Sequence, residues 1–185
     1  MARSFELNAV RLAEGKKTDP DEPEDHALGR SRGGYTTKIH LICDRQGEVL
    51  HFHLTPGQTH DSIVFDTLMI GIDEALAHWK GTVIPWPQAL AGDKGYRADW
   101  IDEYLIHLGI NPVIPSKENE DRNARNIVFD QESYRQRNIV ERVIGWLKEF
   151  RRIFSRFEKT AKNFGGMIKM GIIQRSMRNA IKTEF

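Results

Sequence analysis

The sequence predicts an α/β fold in which helices pack on a mixed sheet. Two observations predict it. Residues 35–55 show a hairpin pattern, because two apolar, β-branched runs flank a short turn that contains Gly47. Further along the chain, short apolar runs typical of buried strands alternate with amphipathic helical patterns. A hairpin followed by strand–helix–strand units favours a sheet with both parallel and antiparallel neighbours.

The elements follow one another in chain order. Residues 1–34 hold an acidic stretch with two prolines and a Gly-Gly pair, and we expect an irregular arm there. After the hairpin, apolar residues at helical spacing predict a helix over about 63–79, which Thr59 or Asp61 would cap. The run PQALAGD then predicts a buried strand that ends in Asp93, and RADWIDEYLIHLG and INPVIPS predict a helix and a second buried strand.

The last third of the chain is predicted to be helical. A polar loop, SKENEDRNARN, precedes one long helical pattern from about Ser133 to Lys159. The segment after it contains several glycines and predicts a weaker, interrupted helix. The chain therefore divides into an arm at 1–34, a main α/β domain at 35–160 and a helical tail at 161–185.

The charge is distributed unevenly. Residues 1–133 carry 14 Lys and Arg against 22 Asp and Glu, whereas residues 134–185 carry 13 against 4. A basic last third points to a polyanionic partner. The alternative is a solvated helix face that pairs with the acidic part of the same protein.

The sequence also limits the compartment in which the protein acts. Cys43 is the only cysteine, so an internal disulfide is excluded, and its apolar surroundings favour a buried hydrophobic role. No apolar run approaches the roughly 20 residues of a membrane span, and the N-terminus has no secretory pattern. We expect a cytoplasmic protein.

One polar stripe stands out on the long helical pattern. Tyr134, Arg137, Glu141 and Lys148 fall on one side of the helix, and Arg152 extends this side if the helix continues so far. An ordinary solvated face with weak ion pairs is one interpretation. The other is that Glu141 binds a metal ion while the cations hold phosphates.

Asp93 is the second acid of interest. It ends a predicted buried strand, and ligand chemistry in α/β sheets gathers at the carboxyl ends of strands. The alternative is a turn residue that precedes Lys94 and Gly95.

A family resemblance connects these residues. The spacing Tyr134-x2-Arg137-x3-Glu141-x6-Lys148 resembles the Y-R-E-K signature of insertion-sequence transposases of the DDE superfamily. The strings LTPGQTHDS, AGDKGYRADW and GINPVIPSKEN resemble the same family, and the likeness is closest to the insertion-sequence-five group. It extends from about Lys16 to near the end of the chain.

The resemblance implies a ribonuclease-H-like fold with an Asp, Asp, Glu triad that holds two Mg²⁺ or Mn²⁺ ions. Asp93 matches the second aspartate and Glu141 matches the glutamate, so both are expected to be catalytic metal ligands. Oxygen ligands of this kind suit magnesium, and two such ions suit phosphodiester chemistry. The residues expected to contact DNA are Tyr134, Arg137, Lys148 and Arg152.

The sequence departs from the family at the first aspartate. SFELNAVRL resembles the tail of the strand that carries it, which places the missing residue at about Met1 and predicts a first strand that is truncated or missing. Asp44 is expected in the hairpin turn, and Asp61 is expected near the site, but neither is identified as the missing ligand. His40 is expected at a surface or boundary position.

Two functions are most consistent with this departure, and a third, a stand-alone nuclease of the same fold, is least favoured because it would need a substitute for the absent aspartate. The chain is expected to be the catalytic portion of a transposase that acts on inverted-repeat ends and target DNA as a homo-oligomer, in the bacterial cytoplasm and on the nucleoid. An upstream half would supply the first aspartate, so the chain alone would be inactive. The alternative is a truncated remnant that binds DNA or full-length transposase without cutting. In both cases the basic helices are expected to bind DNA in a salt-sensitive way.

Overall fold

The computed structural model describes residues 4–15, 26–31, 34–77, 84–121 and 125–183, with 4–15 and 182–183 described by their backbone alone. The strands in these ranges are β1 Ser4–Gly15, β2 Gly29–Ser31, β3 Gly34–Asp44, β4 Val49–Pro56, β5 Ala89–Gly92 and β6 Asn111–Val113. The helices are α1 Phe65–Ala77, α2 Asp99–His107, α3 Gln131–Arg135, α4 Asn138–Glu149, α5 Arg151–Phe154 and α6 Ala161–Thr183. Two short 3-10 helices, Asp61–Val64 and Lys94–Tyr96, precede α1 and α2.

The strands form one mixed sheet in the order β2-β3-β1-β5-β6, with β4 also paired to β3. β5 runs parallel to both β1 and β6, whereas β2 and β3 are antiparallel. With β1 in the middle, the hairpin strands lie on one side and two parallel strands on the other. A mixed sheet with flanking helices confirms the predicted α/β fold class.

The first strand is present, so the prediction that it is missing is wrong, whereas a truncation near Met1 would fall outside the described residues. β1 spans Ser4–Gly15 and pairs with β5 over four residues, from Ser4 opposite Ala89 to Leu7 opposite Gly92. β1 and β2 also lie within the segment predicted to be an irregular arm. The alternation of Phe5, Leu7 and Ala9 is a strand pattern. The irregular arm was predicted mainly from an acidic stretch, which lies largely at residues 16–25, outside the described residues.

The hairpin turn forms as predicted. Asp44 ends β3, and its Oδ1 accepts hydrogen bonds from the backbone N–H groups of Gln46 and Glu48, both at 2.9 Å. Gly47 has a φ of 81°, a left-handed conformation that glycine adopts without steric cost. Asp44 is therefore engaged in holding the turn that joins β3 to β4.

The predicted single helix over 133–159 is wrong, because the chain forms α3, α4 and α5 there. Between α3 and α4, the N–H groups of Arg137 and Val140 bond to carbonyl oxygens three residues back instead of four. After α4, Phe150 is extended with ψ at 105°, and Arg156 after α5 has a φ of 42°. These backbone conformations interrupt an amphipathic pattern that is otherwise continuous.

The chain divides into two compact units. The first comprises Met1–Ala9, His40–His53 and His60–Glu141, and the second comprises Val10–Ile39, Leu54–Thr59 and Arg142–Phe185. The first unit has an apolar core made by α1, α2 and the parallel strands. Its fully buried side chains include Ile42, Phe65, Leu68, Ile72, Leu90, Tyr96, Ile101, Leu105 and Ile114.

Arg156 connects several segments of the second unit through polar contacts. Its guanidinium donates to Thr37 Oγ1, to the carbonyl oxygen of His26 and, at 3.2 Å, to that of Lys159. It also lies over the ring of Phe164, 5.3 Å from the centroid. One side chain therefore fixes a loop, a strand and the start of α6.

α6 is continuous, contrary to the prediction of an interrupted helix. Its buried face includes Phe164, Ile168 and Gly171. A Cβ at Gly171 would lie 3.3 Å from Ile153 Cδ1 and 3.6 Å from Leu147 Cδ2, so the glycine permits close packing inside the second unit. Packing of this face offsets the roughly 1 kcal/mol that each glycine costs a helix. In the described parts of the chain, no helix is both long and apolar enough to cross a membrane.

We expect Arg156→Ala to destabilise the protein by about 2–4 kcal/mol, because several buried carbonyl and hydroxyl groups lose a charged donor. Arg156→Gly should lose about 1 kcal/mol less, since glycine tolerates the positive φ. Urea denaturation followed by circular dichroism measures both changes. The control is Arg152→Ala, which breaks a surface pair with Glu158 at 3.5 Å and should change stability little. Equal losses for Arg152→Ala and Arg156→Ala would contradict the anchoring role.

Candidate active site

Asp93 lies at the carboxyl end of the parallel part of the sheet. It follows β5 directly and continues in an extended conformation, with φ at −71° and ψ at 158°. β5 is buried between β1 and β6, so the main chain holds Asp93 at the edge where parallel strands end. The sequence predicted this position.

Asp93 also caps the short helix that follows it. Its Oδ1 accepts a hydrogen bond of 2.6 Å from the Lys94 N–H, and its carbonyl oxygen accepts one of 2.9 Å from the Tyr96 N–H. Asp93 therefore both follows the end of β5 and caps the 3-10 helix after it. Since the capping bond occupies Oδ1, Oδ2 remains for another ligand.

Asp61 is brought beside Asp93. It begins the 3-10 helix Asp61–Val64, which packs against the 3-10 helix Lys94–Tyr96. The Asp61 carboxylate fills the space beside Gly95, where a Cβ would collide with it. The cap position before this 3-10 helix is His60, with no side-chain capping bond, so Asp61 is not the cap that the sequence predicted.

A buried tyrosine lies close to these acids and contacts β3 of the sheet. Tyr96 is fully buried, and its hydroxyl lies 2.8 Å from Nδ1 of His40 on β3. Burial raises the pKa of the Tyr96 hydroxyl well above its usual range, and the nearby charges of Asp61 and Asp93 raise it further. Tyr96 therefore stays protonated and can only act as a neutral hydrogen-bonding group.

The contact between His40 and Tyr96 was not predicted from the sequence. His40 was expected at a surface or boundary position, but it is fully buried. β3 is buried on both faces from Thr36 to Cys43, so alternation along the strand carries no signal for which residues are inside. The one available signal for Tyr96 was its place three residues after Asp93.

The polar stripe is partly assembled in the first unit. Arg137 lies in the turn between α3 and α4, and donates to Glu141 Oε1 at 2.9 Å. Its guanidinium lies 5.4 Å from the ring centroid of Tyr134 on α3. The Glu141 side chain is 60% exposed and that of Arg137 is 16% exposed. An i, i+4 pair of this kind contributes a few tenths of a kcal/mol, so Glu141 can exchange Arg137 for another ligand at small cost.

The remaining two cations of the stripe belong to the second unit. Lys148 is exposed on α4, about two helical turns after Glu141. Arg152 lies on α5 and pairs with Glu158 at 3.5 Å. Because α4 ends at Glu149, Arg152 does not continue the stripe as the long-helix prediction required.

No group of three His, Cys, Asp or Glu side chains that could hold a metal ion occurs among the side chains that the structure describes. α3, which carries Tyr134, lies beside β5 and β6. The first unit contains Asp93, Asp61 and Glu141. Their described side chains do not form a group that could hold a metal ion without further ligands. The side chains of β1 are outside the described part of the chain.

The backbone of β1 places another acid near Asp93. Glu6 stands opposite Ala91 and Leu7 opposite Gly92, so the next position on β1, Asn8, is level with Asp93. The pleat gives positions 6 and 8 the same face as positions 91 and 93. Met1, the position predicted for the first acid, lies outside the described residues.

Comparison with known proteins identifies relatives over most of the chain. A family profile described as "Transposase DDE domain" matches residues 11–173. The transposase assigned to insertion sequence element IS402 of Burkholderia cepacia is 30% identical over 155 residues, 84% of this chain and 66% of that protein. The one assigned to IS6501 of Brucella ovis is 27% identical over 135 residues, 73% of this chain and 93% of that protein.

This chain spans slightly less than two thirds of the IS402 relative. Among solved structures, it is similar to the catalytic domain of Mos1 mariner transposase, with a TM-score of 0.42, 12% identity and coverage of 85% of this chain and 82% of that one. A Mos1 mariner paired-end complex with Mn has a TM-score of 0.39 at 16% identity, and covers 95% of this chain and 53% of that one.

We predict that Gly95→Ala destabilises the protein by about 1–3 kcal/mol, because its Cβ would displace the Asp61 carboxylate. Gly145→Ala on α4 is the control, since open space surrounds a Cβ there and alanine should stabilise the helix by about 0.5–1 kcal/mol. Thermal denaturation of both variants measures the difference. If the two substitutions shift the midpoint in the same direction, Asp61 does not occupy the space beside Gly95.

Proposed function

The chain belongs to the transposase DDE-domain family, and from that premise we propose that it is the catalytic portion of a bacterial insertion-sequence transposase. Its reaction would be phosphodiester cleavage at the element ends, followed by strand transfer to target DNA. The position of Asp93 supports this proposal most strongly. Asp93 follows the carboxyl end of β5, which lies between its parallel neighbours β1 and β6. An acid held by the main chain at this edge suits chemistry that needs a fixed ligand.

The donor set fits a hard divalent cation. Asp93 and Glu141 offer carboxylate oxygens, the ligands that Mg²⁺ and Mn²⁺ prefer, and neither is committed to a strong buried ion pair. Two such ions, when bound, would activate the attacking hydroxyl and stabilise the leaving oxygen of the phosphodiester. Asp93 and Glu141 are the residues that would hold them.

The chain's cations would position the DNA backbone. Arg137 is held against the Tyr134 ring and beside Glu141, so its guanidinium is presented with limited freedom. A planar guanidinium suits bidentate contact with a phosphate. Lys148 and Arg152 are exposed and add positive charge in the basic last third of the chain. These contacts would orient the strand and are not themselves steps of the reaction.

The register of β1 favours Glu6 as the third acid. Position 6 is two residues before the level of Asp93 and on the same face of the sheet. A glutamate carboxylate supplies the same hard oxygen ligands for a divalent cation as an aspartate carboxylate. This proposal removes the need for an upstream half to supply the acid. The rival proposal remains that an upstream half supplies it.

The proposed partners follow from the reaction. Double-stranded DNA at inverted-repeat ends and at the target would be the substrate, and a second copy of the chain would be needed because two ends are joined. Such a protein would act in the bacterial cytoplasm on nucleoid DNA. A catalytically dead remnant that binds DNA or full-length transposase is the competing proposal.

We expect Asp93→Asn and Glu141→Gln each to lower Mn²⁺-dependent nicking of end-containing DNA by at least about a hundredfold, because each removes a charged ligand. The same variants should bind Mn²⁺ more weakly in isothermal titration calorimetry. Glu149→Gln, also exposed on α4, is the matched control and should leave both measurements unchanged. Wild-type protein that binds no Mn²⁺ and nicks no DNA would support the remnant instead.

Glu6→Gln tests the source of the third acid. If Glu6 serves, the chain alone nicks DNA with Mn²⁺, the substitution abolishes nicking and weakens Mn²⁺ binding, and Glu6→Asp retains both in part. Glu14→Gln, also on β1, should have no effect. A chain that is inactive alone and active only with an added upstream half would show that the acid comes from elsewhere.

A further inference from the structure

Lys94 is a cation placed directly beside Asp93. It begins the 3-10 helix Lys94–Tyr96, and its own N–H donates to the Asp93 carboxylate. Its Nζ donates to Glu118 Oε1 at 2.8 Å, in the loop after β6. The Lys94 side chain is 40% exposed and that of Glu118 is 88% exposed. A lysine one residue from the strand-end acid is therefore covered by a carboxylate.

The loop that carries Glu118 is anchored from two sides. Glu120 accepts from the Arg97 side chain, with Nε at 3.0 Å, and from the Lys117 N–H at 2.9 Å. Arg97 is itself almost fully buried and lies 3.1 Å from the Asp102 carboxylate. These bonds hold the backbone on the C-terminal side of Glu118.

The second anchor is Arg125. It donates to both Asp102 oxygens at 2.9 Å, to the Ile114 carbonyl oxygen at 2.5 Å and to Ser116 Oγ at 3.3 Å. The side chains of Arg125 and Asp102 are each 6% exposed. The backbone on the N-terminal side of Glu118 is fixed in this way, so the loop presents Glu118 to Lys94 although the carboxylate itself is open to solvent.

The ion pairs of this region differ in burial, and the difference indicates which of them stabilise the loop and which can exchange partners. The arginine pairs are buried and hold the loop, whereas the Lys94–Glu118 pair is exposed and contributes little to stability. The hydrogen bond and charge of Lys94 lower the pKa of the Glu118 carboxyl, so Glu118 stays ionised at neutral pH. A carboxylate with two anionic oxygens presents to the lysine the same chemistry as a phosphodiester, and an exposed pair exchanges readily for a phosphate.

We propose that Lys94 is a phosphate-binding residue beside Asp93, and that Glu118 occupies it in the absence of DNA as a phosphate mimic that weakens DNA binding. The proposal rests on the proposed function in taking DNA as the substrate. It does not depend on cleavage, because it concerns binding alone. A backbone phosphate would replace Glu118 on Lys94 when DNA reaches the site.

The test measures binding of a fluorescently labelled double-stranded oligonucleotide by anisotropy, with the full chain, in EDTA and over a series of KCl concentrations. Glu118→Gln should tighten binding about two- to fivefold, the range that an exposed ion pair can account for. Lys94→Gln should weaken binding and lower the slope of log affinity against log salt by about 0.9, the value for one phosphate contact. In the double variant, the gain from Glu118→Gln should disappear.

The matched control is Glu103→Gln, an exposed acid on α2 whose loss changes the net charge equally. The proposal is overturned if Glu103→Gln tightens binding as much as Glu118→Gln, if the gain persists without Lys94, or if Lys94→Gln leaves affinity and salt slope unchanged. Because metal is absent, these results are distinct from a failure of nicking. If these binding shifts occur but the chain shows no Mn²⁺-dependent cleavage, this proposal stands and the proposal that the chain cleaves DNA by itself is rejected.

Discussion

The parallel pairing of β5 between β1 and β6 is the constraint on which the candidate site depends. Both neighbours fix the backbone of β5, so the chain emerges from the sheet at Asp93 in a single extended direction. The capping bond to Lys94 then starts a tight turn immediately. The turn brings Tyr96 back into the core, where it bonds to His40. Asp93 is thus fixed by β5 before it and by the turn to Tyr96 after it.

Burial and charge divide the roles of the polar residues in the first unit. Arg97, Asp102 and Arg125 are buried and mutually paired, and such groups must keep their partners because an unpaired buried charge is strongly destabilising. Glu141 and Glu118 are exposed and weakly paired, so they can change partner. The first unit therefore contains buried ion pairs that stabilise the fold and exposed ion pairs that contribute little to stability.

Several features were predictable from short-range patterns. The turn at Asp44 and Gly47, the strand end at Asp93 and the i, i+4 relation of Arg137 to Glu141 each depend on a few neighbouring residues. The long helix was mispredicted because its periodicity continues through backbone conformations, at Phe150 and Arg156, that a hydrophobic pattern does not encode. The interruption predicted for α6 was also wrong, because packing at Gly171 outweighs the low helix propensity of glycine.

The sequence by itself determined the α/β fold class and the family, and it proposed Asp93 and Glu141 as site residues, because motif spacing and short apolar runs are local patterns. Only the tertiary structure decided that β1 exists as the central strand, with Glu6 two residues from the level of Asp93, because strand pairing joins residues more than 80 positions apart. It also decided the buried contact of His40 with Tyr96 and the cover of Lys94 by Glu118. Each of these contacts joins segments that are distant in the sequence, and a local residue pattern does not predict which distant segments pack together.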